Sequence, residues 1–493
     1  MTEHKISSTS ASHVNEILQR SLVSACKSKV VAILLAYQTR EIIMMSSVFC
    51  QRGTLNEDNI LETPLPVKID SNIPSCKGAH SVKNQTCAHE ASDLPDAFGL
   101  EVIPHANRME KSQNQLQADN ATPDTDTKEV NMNAETLLEK YSVPNYNFHT
   151  FYYTWYGNPQ FDGKYLHWDH PLLPHWDSKV AAAFPKGRHS PPDDIGANFY
   201  PALGAYSSRD PTVIDAHMRQ MRMAAIGVLA ISWYPPGMKD DNGEATDDIV
   251  PLILDAAHKY QIRVTFHIEP FKGRDEKTMF DCVKYIVEKY GEHPAFFRYK
   301  TKTGKTLPLY YIYDSYLLSP ENWARLLNPN AKTSIRNTPY DGIFLALLVE
   351  EKHKRAILSS GFDGMYTYFA TNGFTYGSSY RNWKSIKAFC DASSLIFVPS
   401  VGPGYIDTNI RPWNSQNTRN RIKGRYYETA LSAAAEAGAQ VVSITSFNEW
   451  HEGTQIEMAV PKAGHTAYLD YLPHKPGNYL QITRKWADTF SGE

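Results

Sequence analysis

Nowhere does this 493-residue sequence stay apolar for the roughly 20 residues that a bilayer-spanning helix needs. The nearest approach, Val30–Tyr37, is bracketed by Lys27, Lys29, Arg40 and Glu41, and no secretory signal peptide stands out. A strong field of one sign is lacking too. The formal charge is −3, so nothing in the overall balance calls for a nucleic-acid partner. Cysteine is scarce: four of the six, Cys26, Cys50, Cys76 and Cys87, lie near the N-terminus, and only Cys282 and Cys390 fall in the aromatic-rich remainder. Their spacing makes neither a zinc site nor a disulfide framework. No G-x-G-x-x-G turn follows the first strand-like run, which counts against an open dinucleotide-binding sheet.

The chain changes character near residue 145. From Gln51 to Asn145 it is dominated by Ser, Asn, Asp, Glu, Lys and Pro, a composition that buries too little apolar surface to offset the entropy of ordering. Residues 1–145 are therefore expected to be a largely disordered stem, and 146–493 a catalytic domain. Asn84-Gln-Thr and Asn120-Ala-Thr, both in the stem, are acceptor sequons that hint at a secretory route.

Beyond Tyr146, short β-rich runs alternate with helical stretches. The predicted strands are His149–Tyr153, Gly227–Ser232, Arg263–Ile268, Leu309–Tyr313, Gly342–Leu347, Gly364–Tyr368, Leu395–Ser400 and Gln440–Ser446. The predicted helices include Val213–Ala225, Asp248–Tyr260, Lys277–Tyr290, Glu350–Ser359, Trp383–Asp391 and Gly424–Ala437. Parallel strands need crossover helices, and eight such units close on themselves, so the fold expected is α/β, a (β/α)8 TIM-type barrel with long βα loops.

In that architecture chemistry gathers at the C-terminal strand ends. The last run, Val441–Glu452, reads V-V-S-I-T-S-F-N-E-W-H-E and delivers Glu449 and Glu452 on either side of Trp450 and His451, just after Asn448. Two carboxylates beside an aromatic surface suit glycosidic cleavage, where one group manages the proton of the leaving oxygen and the other acts at the anomeric centre. The plainer reading is a helix start with two acids in its first turn. Other strand ends supply Trp155, Trp233, Tyr234, His267, Glu269, Asp314, Tyr366, Tyr368, Tyr405 and Asp407. His267 alone reads as a core histidine, and Glu350 and Glu351 as the start of an exposed helix. Glu269, between a buried-looking strand and Pro270, is expected at the barrel rim. Two long loops, Tyr156–Tyr206 and Gly402–Arg421, read as binding walls. Arg411, Trp413 and Asn414 are placed to meet a hydroxyl-rich ligand, while Arg419 and Arg421 read as surface residues.

The strings F-Y-Y-T-W-Y-G-N-P-Q-F-D-G-K-Y at Phe151–Tyr165, R-H-S-P-P-D-D-I-G at Arg188–Gly196 and T-F-H-I-E-P at Thr265–Pro270 recur in one family. So do G-F-D-G-M-Y-T-Y-F-A-T-N-G at Gly361–Gly373, S-V-G-P-G-Y-I-D-T at Ser400–Thr408 and S-F-N-E-W-H-E-G-T-Q-I-E at Ser446–Glu457. Over roughly Asn145–Trp486 the chain resembles glycoside hydrolase family 99. The resemblance implies a (β/α)8 barrel and a retaining endo-cleavage of the α-1,2 bond joining a glucose-capped mannose to high-mannose N-glycans, with no metal or nucleotide cofactor. It implies that Glu449 acts on the sugar 2-hydroxyl, through a 1,2-anhydro intermediate, and that Glu452 is the acid/base. It further implies sugar contacts from Tyr153, Trp233, His267, Glu269, Tyr366, Tyr368, Arg411, Asn448 and Trp450. The family's animal members are anchored lumenal Golgi proteins, so a Golgi, membrane-associated glycoprotein is expected, although residues 1–50 show no clear anchor. A catalytically silent glycan-binding barrel and an endo-glycosidase acting on another polysaccharide are the alternatives.

Overall fold

The computed structural model describes residues 132, 134–464 and 466–490. Most of the expected stem, with both sequons, the four N-terminal cysteines and the Val30–Tyr37 run, lies outside the described residues. Among the described residues no helix is long and apolar enough to cross a membrane.

Nine parallel segments form one sheet that curls into a barrel. Two of them, Ile396–Val398 and Ser400–Val401, are parted only by Pro399 and form one strand position, which leaves eight. In chain order these are β1 (Asn145–Tyr152), β2 (Ile226–Trp233), β3 (Arg263–Ile268), β4 (Thr306–Ile312), β5 (Ile343–Leu347), β6 (Gly364–Tyr366), β7 (the two segments just given) and β8 (Val442–Ile444). β1 pairs with β2 on one side and β8 on the other, with Phe148 opposite Val442 and Thr150 opposite Ile444. A strand covered on both faces reads as a continuous apolar run, and every residue of β2 is buried.

The period of two decides what each strand presents. On β3, Phe266 faces the helices, meeting Tyr290 and Phe296, while His267 faces the lumen, meeting Phe151, Tyr311 and Tyr366. The lumen is thus filled by rings. His149 Nδ1 and the Tyr311 hydroxyl lie 2.7 Å apart below, and Tyr153, Tyr313 and Tyr368 sit above. A packed interior of this kind fixes the strand ends rather than forming a pore.

Local chemistry places the crossover helices. Pro211–Met223 begins with Pro at its first turn behind Asp210, whose carboxylate accepts from the Thr212 amide at 2.8 Å. Glu276–Tyr290 starts on a reciprocal capping box of Asp275 and Thr278. Several predicted boundaries shift, two of them for a visible local reason. The helix expected from Glu350 starts at His353, with Glu350 and Glu351 bonded to Lys352 and Lys354 in the preceding turn. The sixth strand ends at Tyr366, because Tyr368 takes a left-handed φ of 50°. The helices Pro320–Leu327 and Asn478–Thr489 escaped the sequence reading altogether.

Order also begins upstream of residue 146. The helix Ala134–Lys140 lies inside the stretch read as stem, with Leu137 fully buried, and Arg222 Nη2 donates to the Tyr141 carbonyl at 2.8 Å. Leu137→Ala should therefore cost the domain about 2–5 kcal/mol in chemical denaturation, the range for emptying a buried leucine site. An unchanged unfolding midpoint would show that this helix is not part of the cooperative unit.

Candidate active site

The chain leaves β8 through Ser446, Phe447 and Asn448 and turns back at once. The Ser446 amide donates to the Thr454 carbonyl at 2.9 Å, and Thr454 N reaches the Glu449 carbonyl at 3.3 Å. Such a closed loop needs a residue without a side chain at its tightest point. Gly453 has a φ of 57°, and a Cβ there would lie 2.7 Å from the Ile406 carbonyl oxygen. Both glutamates stand on this loop. Glu449 is 2% exposed, its amide donates to Ser446 Oγ at 2.7 Å, and the His451 amide donates to its Oε1 at 3.2 Å. Glu452 is half-buried, and its carbonyl accepts from the Ile406 amide at 2.8 Å.

The two carboxyl groups open on one cleft at the C-terminal mouth of the barrel, together with Arg411, Trp155, Tyr234 and three histidines. The long loop after β1 supplies His167 and His170. The Gly196 carbonyl can only accept, so His451 Nδ1 carries the hydrogen at 2.6 Å, and His451 Nε2 accepts from His167 Nδ1 at 3.2 Å. His167 stacks on Trp155 with ring centroids 4.4 Å apart and turns Nε2 to Asp240 at 3.1 Å. Burial, helped by the neighbouring His170 and His167, holds His451 well below the usual imidazole range, so it is neutral beside Glu449. Burial likewise lowers His170 to about 3. Arg411 is held by Asp407 at 2.8 Å, and Tyr405 and Asn414 also donate to the same carboxylate oxygen.

The other expected residues divide by strand parity. Tyr153, His267, Glu269, Tyr366 and Tyr368 come together at the top of the lumen: His267 Nε2 meets the Tyr366 hydroxyl at 2.8 Å, Ser232 Oγ donates to Glu269 at 2.6 Å, and the Tyr153 and Tyr368 hydroxyls bond each other. Tyr153 in turn packs against Trp155 in the cleft at 4.5 Å. Trp233 is placed elsewhere. It follows inward-facing Ser232 by one residue, so its indole turns toward the helical layer, donates to Asp247 at 2.8 Å and stacks near Tyr285. Trp450 also points away from the cleft; it donates to Glu457 at 3.0 Å and to the Tyr206 hydroxyl at 3.1 Å. Asn448 is engaged with the Tyr153 backbone, accepting from its amide at 2.8 Å and donating to its carbonyl at 2.9 Å, and its Nδ2 also reaches the Tyr206 hydroxyl at 3.4 Å. These three shape the site from behind.

Two supporting residues went unnoticed in the sequence. Glu457, fully buried, gathers Trp450, Tyr206 and His217, the last at 3.1 Å. Arg421, read as a surface residue, is buried among Phe199, Tyr471 and Tyr479 and donates to the Gly453 and Gln455 carbonyls at 3.0 and 2.7 Å. Neither is announced by composition, since only the fold brings a loop arginine and a downstream glutamate under the same turn.

The glycosyl hydrolase family 99 profile matches residues 143–492. The chain belongs to glycosyl hydrolase family 99. A rat protein named glycoprotein endo-alpha-1,2-mannosidase is 59% identical over 417 residues, covering 82% of this chain and 90% of its own. A human glycoprotein endo-alpha-1,2-mannosidase-like protein is 66% identical over 346 residues, covering 70% and 76%. The solved GH99 endo-alpha-mannosidase from Bacteroides thetaiotaomicron is 47% identical, covers 71% of this chain and 98% of its own, and superposes with a TM-score of 0.65. This family 99 chain is thus a glycoside hydrolase with a (β/α)8 barrel. Among its described residues no group of three or more His, Cys, Asp and Glu is arranged to hold a metal ion.

The buried neutral histidines make the enzyme acid-sensitive. His149 and His170 are both lowered to about 3, whereas in the unfolded chain a histidine takes up a proton near 6.5. Between those values the unfolded state binds more protons, so stability is full above about pH 6.5 and falls as the pH drops toward 3. At pH 5 each of the two should cost about 2 kcal/mol relative to pH 7. Denaturant unfolding at the two pH values checks this, and equal stabilities would contradict it.

Proposed function

We propose that this family 99 enzyme is an endo-α-1,2-mannosidase that cuts glucosylated high-mannose N-glycans on the reducing side of the glucose-bearing mannose, releasing Glc(1-3)Man with retention. The observation that carries the reading is the pairing of Glu449 and Glu452 on one turn, both opening on the cleft that holds Arg411 and three histidines. The names of the rat and human relatives support the bond type. A lumenal Golgi site of action goes with that substrate.

In the proposed course Glu449 takes the proton from the mannose 2-hydroxyl. O2 then attacks C1, forming a 1,2-anhydro ring as the bond from C1 to the leaving oxygen breaks, and Glu452 protonates that oxygen. Glu452 next removes a proton from water, the water oxygen opens the ring at C1, and Glu449 returns its proton to O2. Two inversions give net retention. Burial suits Glu449 to this role, because one bond from the His451 amide orients its carboxylate and a hydroxyl held within reach can react intramolecularly. The second role needs solvent, and Glu452 is the more exposed of the two.

Each Glu→Gln change should lower turnover of a glucosylated glycan by roughly 10²–10⁴-fold, the usual worth of a positioned proton-transfer group. With a glycosyl fluoride, whose leaving group needs no proton, Glu452→Gln should regain much of its cleavage step while Glu449→Gln stays inactive. Near-normal turnover by Glu449→Gln, or a glycosyl azide formed by it with added azide, would replace this scheme with a covalent glycosyl-enzyme.

A further inference from the structure

The loop that brings His167 and His170 to the cleft continues through Leu173 to a cluster of rings that the reaction does not use. Trp176 leaves 49% of its surface exposed, yet it is held in place. Its ring meets Trp413 edge-to-face at 5.1 Å, and His175 meets Trp413 in the same way at 4.9 Å. Trp413 is fixed in turn, with its indole nitrogen donating to the Leu173 carbonyl at 2.9 Å. Leu173 and Ile410 line the cleft beside both glutamates, and the Leu173 amide donates to the Ile410 carbonyl at 2.8 Å. The cluster is therefore continuous with the cleft wall through two separate chain segments. His175 Nδ1 accepts from the Asp177 amide at 3.0 Å, so in the neutral ring Nε2 carries the hydrogen as a donor.

A large indole costs free energy when left in water, and rigid packing of its edge removes the rotamer freedom that binding would otherwise have to pay for. A flat apolar face packed along its edge, with a ring N–H donor beside it and the cleft of Glu449 and Glu452 next to it, suits the C–H face and hydroxyl rim of a pyranose. We propose that Trp176, with His175 and Trp413, forms a stacking platform for sugar residues on the leaving-group side of the cut bond, beyond the first, and that it sets the preference for long glycans over short ones. The inference rests on the glycan-cleaving activity proposed above.

The test compares wild type with Trp176→Ala and Trp176→Phe on two substrates: an intact glucosylated high-mannose glycan, and the fluoride of the glucosyl-mannose disaccharide alone. The platform predicts that Trp176→Ala raises KM for the intact glycan about tenfold with little change in kcat, as expected for one lost stacking contact. It predicts little change on the fluoride and partial recovery in Trp176→Phe. An equal loss on both substrates, or no loss on either, overturns it. Should wild type cleave neither substrate, the proposed activity fails, and the platform is judged separately by tryptophan emission. A shift on adding the intact glycan to wild type but not to Trp176→Ala supports it, and the absence of that difference overturns it.

Discussion

The carboxamide of Asn448 holds the seam where the barrel closes. It accepts from the Tyr153 amide and donates to the Tyr153 carbonyl, so the side chain ties the segments that leave β8 and β1 beyond their last paired residues, Ile444 and Thr150. Both groups are buried, and leaving either without a partner would cost about 1–3 kcal/mol. Everything at the site hangs from this tie. On one side Tyr153 sends its ring into the lumen toward Tyr368 and Trp155, and on the other the chain passes directly to Glu449. Three residues past Tyr153, the Tyr156 hydroxyl adds a second link, donating to the Asn448 carbonyl and accepting from the Trp450 amide.

Around that seam the structure solves an electrostatic problem. A carboxylate as buried as Glu449 needs donors but loses its value if a permanent cation neutralises it. The nearest imidazole, His451, is kept uncharged by burial and by its histidine neighbours, and it offers Glu449 a backbone N–H. Positive charge is supplied farther out by Arg411, itself pinned to Asp407, and below the turn by Arg421, which is caged by aromatic rings and spent on two carbonyls. Glu457 supports the same turn through Trp450, so the loop that carries Glu449 and Glu452 is bonded on both faces. Such second supports restrict the acids to one geometry, and positioning of this kind is worth more to a rate than added contact area.

Periodicity made most of the scaffold readable. The eight predicted strands all exist, and Arg263–Ile268 matches to the residue, because covered parallel strands leave continuous β-branched runs. The carboxylate turn could be located as a buried run ending in two acids, but that pattern fits an acidic helix start as well, and only the fold shows both acids opening on one cleft. What failed was parity. Trp233 is the last residue of β2, one position out of step with inward-facing Ser232, which sends its ring to the back of the wall, while Trp450 lies on the turn after β8, where no strand alternation sets its direction. The left-handed φ of Tyr368, which stops β6 and lays the ring 5.6 Å from His267, depends on Ser400 Oγ receiving the Tyr368 amide, a contact 32 residues away that no local pattern announces. Two of the three cleft histidines, His167 and His170, come from the long loop after β1, where chain order gives no guide to which residues face inward.

In the proposed reaction the Glu449 carboxylate acts on the sugar's own hydroxyl rather than on its anomeric carbon. Turnover of two glucosylated glycans, identical except that the reacting mannose of one lacks its 2-hydroxyl, tests that directly. With wild-type enzyme the parent should be cleaved and the 2-deoxy glycan left intact, although the deoxy sugar is chemically the easier to ionise. Cleavage of both at comparable rates would mean that Glu449 does not work through O2, and the central claim would fall.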